Sequence, residues 1–204
     1  MDAARKLKEY DIMSDDRGYT IVDIEALPEG QRAELIDGEM FMLASPSATH
    51  QAIVGWIYVG IYNKIREKTG KCKAFTSPFA VYLTEDGKNY VEPDISVICE
   101  RDKLDDKGCH GAPDWIIEIV SVSSKRMDYY KKMCAYAESG VREYWIVDPK
   151  RKAVVVHRLA EADIPQIYSF NDKVACSVLE DFYIDFSKLM DYEYDSEQEN
   201  TSLS

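Results

Sequence analysis

A carboxylate stands in the middle of an apolar, strand-length run, DWIIEIVSV at residues 114–122. The residues around this Glu118 are the β-branched Ile116, Ile117, Ile119 and Val120. A buried charge without a partner is costly enough that such a group finds one or changes its protonation state. The run therefore predicts a core strand in which Glu118 meets a basic side chain, a hydrogen-bond network or a metal ion.

Two helices are predicted from hydrophobic periodicity. Isoleucines recur every four residues from His50 to about Lys68, which indicates an amphipathic helix with Thr49 as its N-cap. A second helix is predicted at 123–140, where Gly140 ends the pattern. Each helix lies between strand-like segments, so each is expected to pack on a sheet.

Alternating or continuous apolar segments predict the strands, and Asp-Gly dipeptides predict tight turns between them. The predicted strands are a hairpin at 33–43, segments 71–83, 89–99, 114–122, 141–148 and 153–159, and shorter strands near 166–170 and 173–179. The order of hairpin, helix, strands, helix and strands favours a mixed β-sheet flanked by helices, an α/β or α+β fold.

Length and charge suggest one domain with polar ends. The chain has 204 residues, and we expect an N-terminal arm at 1–18, a domain at 19–190 and a disordered acidic tail at 191–204. The net charge of −12 argues against a general nucleic-acid binder with a basic surface. It does not exclude an enzyme whose carboxylates hold a divalent cation against a phosphate.

The sequence also bears on the compartment. No apolar run approaches the roughly 20 residues of a membrane helix, so no membrane partner is expected. The N-terminus has no apolar segment like that of a signal peptide, so a cytoplasmic protein is expected. The five cysteines are an odd number without paired close spacing, which predicts reduced, mostly buried thiols rather than a disulfide framework.

Strand and helix periodicity bring several polar residues together. Asp94 follows a proline at the start of the strand before Glu118, so two carboxylates are expected on neighbouring strands. In the helix that follows, Asp128, Lys132 and Tyr136 are spaced by four and share one face, with Asp128 as an acid that positions the lysine. Hard oxygen ligands suit Mg²⁺ or Mn²⁺, and a metal with a lysine can neutralise phosphoryl oxygens. The pattern predicts phosphodiester hydrolysis.

Several stretches together resemble one known family. They are AELIDGEMFMLASPSATHQAIV, VEPDISVIC, GAPDWIIEIVSVSS and MDYYKKMCAYAESGVREYWIVDP. They are similar to the Uma-two family, a bacterial group in the PD-(D/E)XK restriction-endonuclease-like superfamily. The resemblance runs from about Tyr19 to about Leu159, and it implies a restriction-endonuclease-like fold and a Mg²⁺-dependent (or Mn²⁺-dependent) endonuclease acting on DNA.

The resemblance also implies roles for particular residues. Asp94 matches the aspartate of the PD motif and Glu118 matches the acid on the next strand, so both are expected to bind the metal. The superfamily often carries a catalytic lysine two residues after that acid, but Val120 stands there. The family instead places a lysine on the following helix, which matches Lys132.

Further residues and other functions remain open from the sequence. Glu34 and His50 match family positions without a defined role. Glu34 could instead be a solvent-facing hairpin residue, and His50 could instead only begin a helix. Glu118 and Lys132 could form only a structural ion pair. The rival function is a catalytically inactive nuclease-fold binding module associated with a mobile element or defence system. A homodimer is left open.

Overall fold

The computed structural model describes residues 18–67, 71–121, 127–161 and 163–192. The arm predicted at 1–18 and the acidic tail predicted at 191–204 lie almost wholly outside these residues. Within the described part, no helix is both long enough and apolar enough to span a bilayer.

Three α-helices and thirteen short strands make up the described part of the fold. The helices are α1 (Ile21–Glu25), α2 (Ala48–Glu67) and α3 (Met133–Ser139), and a π-helical turn, Met127–Lys132, leads directly into α3. The first strands are β1 (Ala33–Ile36), β2 (Glu39–Met42), β3 (Lys73–Thr76), β4 (Val81–Tyr82), β5 (Tyr90–Val91), β6 (Ile95–Ile98) and β7 (Cys109–His110). The later strands are β8 (Trp115–Ile119), β9 (Glu143–Asp148), β10 (Ala153–His157), β11 (Gln166–Ser169), β12 (Lys173–Ala175) and β13 (Tyr183–Asp185).

The strands form two large sheets and a two-stranded ribbon. The six-stranded sheet has the order β11-β10-β9-β8-β6-β3, and β8 and β9 pair in parallel. The five-stranded sheet has the order β2-β1-β5-β4-β7, and β12 pairs with β13. The predicted mixed β-sheet flanked by helices, an α+β fold, is confirmed.

The predicted hairpin at 33–43 is confirmed, with Asp37 and Gly38 both at positive φ in its turn. Segments 71–83 and 89–99, predicted as strands with an Asp-Gly turn between them, form a hairpin that bends between the two large sheets. Its outer part, β3 and β6, pairs in the six-stranded sheet, whereas its inner part, β4 and β5, pairs in the five-stranded sheet. Pro78 and Pro93, which have no N–H to give to a ladder, lie at the two breaks.

Both faces of the six-stranded sheet are covered. Helix α2 buries Ile53, Ile57 and Ile61 on the face where Trp115 and Trp145 meet edge to face at 4.7 Å. Helix α3 covers the opposite face through buried alanine and tyrosine side chains. Each large apolar side chain removed from water stabilises the fold by about 1.5–3 kcal/mol, so the sheet is held rigidly between two apolar layers.

The cysteine prediction is wrong for one pair. Cys72 and Cys99 form a disulfide, while Cys109, Cys134 and Cys176 are free. Because Lys73 pairs with Ile98 in the β3–β6 register, the two cysteines stand opposite each other one step further along. Their separation of 27 residues hid this proximity from a reading of cysteine spacing.

Candidate active site

Asp94 and Glu118 stand directly opposite each other on adjacent strands. In the antiparallel β6–β8 pair Ile95 faces Ile117, so one further step places Asp94 across from Glu118. The backbone N–H of Asp94 also donates to Glu118 Oε2 at 3.5 Å. The carboxylates belong to the same face of the sheet because side chains alternate along both strands. The side chain of Glu118 is only 6% exposed, whereas that of Asp94 is 16% exposed. We use the name cleft for the polar group formed by these two acids with Glu34, His50 and Lys132.

Glu118 is held by the helix that follows its strand. Lys132 Nζ donates to Glu118 Oε1 at 2.8 Å, and the Tyr136 hydroxyl donates to the same oxygen at 2.9 Å. Lys132 ends the π-helical turn and Tyr136 lies in α3, so both side chains point back at the sheet. Single π-helical turns occur frequently at functional sites. The side chain of Asp128 lies outside the described residues, so its predicted role remains a prediction.

Glu34 is the second acid that faces the lysine. Its two carboxylate oxygens lie 3.0 and 2.9 Å from Lys132 Nζ, and its side chain is 3% exposed. The alternative that it is a solvent-facing hairpin residue is therefore wrong. The pairing of β1 with β5 brings Glu34 to the bend before β6, where the N–H of Glu92 donates to Glu34 Oε1 at 2.9 Å.

His50 reaches the same cleft from α2. Its Nε2 lies 3.0 Å from Asp94 Oδ2, and the N–H of Ile119 donates to that oxygen at 2.7 Å. The helix begins at Ala48 rather than after Thr49, and Ser47 Oγ accepts from the N–H of His50 at 3.2 Å. Ser47 thus caps the helix, and His50 occupies its first turn, from which its ring reaches Asp94.

The profile of one protein family matches most of the chain. Residues 21–187 match the Uma2 family, whose description is "Putative restriction endonuclease". The chain belongs to the Uma2 family. No curated protein is significantly similar to it.

The Uma2 fold of this chain is also seen in a solved structure. The chain superposes with a TM-score of 0.70 on a crystal structure from Anabaena variabilis ATCC 29413, described as a "putative nuclease belonging to DUF820". The superposition covers 85% of this chain and 98% of the other, at 22% sequence identity. At this identity the likeness establishes the fold, and the argument for chemistry rests on the residues of the cleft.

Sequence reasoning missed a second group of polar residues beside the Uma2 cleft. Arg32 Nε donates to Glu92 Oε2 at 2.7 Å, Arg32 Nη2 donates to Ser77 Oγ at 2.8 Å, and Tyr90 donates to Glu92 Oε1 at 2.8 Å. Burial, and then the charge of Glu92, raise the pKa of Tyr90, so its hydroxyl remains a donor at neutral pH. The sequence spacing could have indicated this group, since Arg32 lies two residues before Glu34 and Glu92 lies two residues before Asp94.

The donor set of the cleft fits a hard divalent cation. No group of three or more His, Cys, Asp or Glu side chains within the described ranges is arranged to enclose a metal. Mg²⁺ does not require one, because it is usually held by one or two carboxylates and keeps several waters. Asp94 and Glu118 supply two carboxylates on facing strand positions, and Oδ1 of Asp94 makes no hydrogen bond to the residues the structure describes.

Proposed function

We propose that this protein is a Mg²⁺-dependent endonuclease that hydrolyses phosphodiester bonds in DNA. The observation that carries the proposal is the placement of Lys132 Nζ at 2.8 Å from Glu118. Glu118 in turn stands opposite Asp94 on the adjacent strand. This combines a pair of metal-binding acids with a fixed cation in one cleft. Membership of the Uma2 family, and the nuclease description of the Anabaena protein, support the same chemistry.

Asp94 and Glu118 would hold the metal. Both are carboxylates, both are fixed by backbone N–H groups, and Asp94 is the more exposed of the two. When bound, Mg²⁺ activates water and neutralises charge on a phosphoryl group. The negative charge of the cleft without metal would repel a phosphate, so binding of the substrate should depend on the cation.

Lys132 would act on the phosphoryl group or on the attacking water. Its amine is pinned between Glu118 and Glu34, so its position is set before the substrate arrives. A preorganised cation of this kind stabilises the negative charge that develops in the transition state without reorganisation of solvent. Tyr136 would keep Glu118 oriented through its hydroxyl, and Glu34 would keep Lys132 in place by binding it through both oxygens.

Cleavage assays test the proposal. The wild-type protein is incubated with single-stranded DNA, linear duplex DNA, supercoiled plasmid and RNA, in Mg²⁺, in Mn²⁺ and in EDTA. We expect metal-dependent cleavage of DNA that disappears in EDTA and in Asp94→Asn. Asp114→Asn is the matched control, because Asp114 is an aspartate next to β8 that pairs with Arg142 and contacts none of the cleft residues.

The outcomes of this assay are distinct. A folded wild-type protein that cleaves none of these substrates with either metal contradicts the enzyme and favours the binding module. Cleavage of RNA alone contradicts the choice of DNA and retains the hydrolytic centre. Equal activity in Asp94→Asn and the wild type would contradict the assignment of the site.

A further inference from the structure

Arg32 is a partly exposed cation fixed beside a buried acidic cluster. Its side chain is 38% exposed, whereas that of its partner Glu92 is 9% exposed. The guanidinium is oriented from two sides, since Nε donates to Glu92 Oε2 at 2.7 Å and Nη2 donates to Ser77 Oγ at 2.8 Å. Ser77 and Glu92 directly precede Pro78 and Pro93, the prolines at the two strand breaks. A surface arginine is not ordinarily held at two such points, so the position of Arg32 calls for an explanation.

The two residues that hold Arg32 also contact the acids of the cleft. The N–H of Glu92 donates to Glu34 at 2.9 Å, and the N–H of Ser77 donates to the carbonyl oxygen of Asp94 at 3.2 Å. Glu92 and Asp94 are separated only by Pro93, at the break between β5 and β6. The guanidinium is thus tied to the same bend of the chain that positions Asp94.

One edge of the guanidinium remains available. Nη1 of Arg32 makes no hydrogen bond to any residue in the described ranges, whereas Nε and Nη2 are engaged. Arginine presents five N–H donors in a planar fork that matches the geometry of phosphate oxygens. Lys132 is buried and committed to two carboxylates, so it cannot also bind nucleic acid outside the cleft.

We propose that Arg32 binds a backbone phosphate of the nucleic acid next to the scissile one. The proposal rests on the proposed function, because it requires a nucleic-acid strand in the cleft. A phosphate contact of this kind sets the register of the strand and reads no base sequence.

Replacing Glu92 and Arg32 separately distinguishes a phosphate-binding Arg32 from an Arg32 that only forms a structural ion pair. As a structural pair, Arg32 and Glu92 would depend on each other, and removal of either would have the same effect. As a phosphate ligand, Arg32 acts on the nucleic acid, while Glu92 only orients it and partly offsets its charge. Glu92→Gln should therefore retain nucleic-acid binding, because the amide oxygen of the introduced glutamine can still accept from Arg32.

Binding of a fluorescently labelled DNA duplex, followed by anisotropy from 50 to 200 mM salt, tests the proposal. Ca²⁺ replaces Mg²⁺, and the DNA is checked to be intact afterwards. We expect Arg32→Gln to bind about tenfold more weakly at low salt, the scale of one hydrogen-bonded contact to a charged group. The slope of log affinity against log salt should fall by about 0.9, the value for one lost phosphate contact. Arg32→Lys should keep the slope and recover part of the affinity.

Arg142→Gln is the matched control. Arg142 is also a partly exposed arginine, 51% exposed, that pairs with a buried carboxylate, Asp114, at 3.0 Å. Asp114 precedes β8 and lies four residues from Glu118, about 13 Å along the strand. We expect Arg142→Gln to bind DNA within twofold of the wild type, with melting temperatures of all variants measured alongside.

The results separate this inference from the proposed function. If the wild type cleaves DNA while Arg32→Gln has the affinity and salt slope of Arg142→Gln, the Arg32 inference is wrong and the proposed function stands. If Arg32→Gln and Glu92→Gln lose binding together with a common loss of melting temperature, the pair is structural and the inference is wrong. A wild type that neither binds nor cleaves nucleic acid overturns both.

Discussion

Lys132 and Glu118 meet at 2.8 Å although they lie on different secondary-structure elements, 14 residues apart in the chain. The answer to why a carboxylate stands in an apolar strand is therefore a buried cation, with Tyr136 as a second donor to the same oxygen. Buried ion pairs are often neutral for stability when compared with apolar packing, so their retention requires another reason. We attribute the retention of the Lys132–Glu118 pair to the proposed metal site, for which the facing Asp94 would supply the second carboxylate.

Divalent cations should stabilise the folded protein. Ligands that bind only the native state raise its free energy of unfolding, by about 2.7 kcal/mol at a hundredfold excess over the dissociation constant. We expect Mg²⁺ and Mn²⁺ to raise the melting temperature, measured by differential scanning fluorimetry. Asp94→Asn should remove most of that rise, and Asp114→Asn should keep it. Calorimetry without binding at millimolar concentration in a folded sample would contradict a metal site at Asp94 and Glu118.

Removal of the Tyr136 hydroxyl should weaken the fold. Tyr136→Phe deletes the 2.9 Å hydrogen bond to Glu118 while the ring stays packed against Tyr144. Because a hydrogen bond to a charged group contributes about 1.5–3 kcal/mol, we expect a loss of stability of that size in urea unfolding. Tyr130→Phe is the control, since Tyr130 is 69% exposed. Equal stability of the wild type and Tyr136→Phe would show that this bond does not hold Glu118.

The cysteines should react in a defined order. Cys134 is exposed, whereas burial raises the pKa of Cys109 to about 11 and that of Cys176 to about 12, so both stay protonated near neutral pH. Without reductant, we expect one fast-reacting thiol in the native protein and three after denaturation, counted with a chromogenic disulfide reagent. Reduction should release two more. Five thiols in the denatured, unreduced protein would show that Cys72 and Cys99 are not bonded.

Much of the site followed from local rules applied to the sequence. Strand alternation and the proline before Asp94 were enough to predict two acids on neighbouring strands, since the parity of side chains is fixed by the pleat. Helical spacing was enough to predict that Lys132 and Tyr136 share a face. These predictions depend only on residues close in the chain and on one strand pairing.

The remaining residues depended on contacts that no local pattern determines. Glu34 faces Lys132 only because β1 pairs with β5 and the 71–99 hairpin bends from one sheet into the other. The same bend brings Arg32 to Ser77 across 45 residues, and the same hairpin register pairs Cys72 with Cys99.

A lysine that is only structural and a lysine that acts in catalysis differ in what their loss does. Replacement of a structural Lys132 by Ala would remove the cation between Glu34 and Glu118 and cost about 3–5 kcal/mol of stability. Any change in cleavage would then follow unfolding. A catalytic Lys132 stabilises charge mainly in the transition state, so its loss lowers the rate in protein that remains folded, with a much smaller change in DNA affinity.

The single-turnover rate of DNA cleavage by Lys132→Ala, measured in Mg²⁺ below the melting temperature of the variant, tests the central claim most directly. We expect the rate to fall by about 10²-fold or more relative to the wild type, the scale of one lost preorganised donor, while DNA binding changes little. A folded Lys132→Ala protein that cleaves at the wild-type rate would contradict the account.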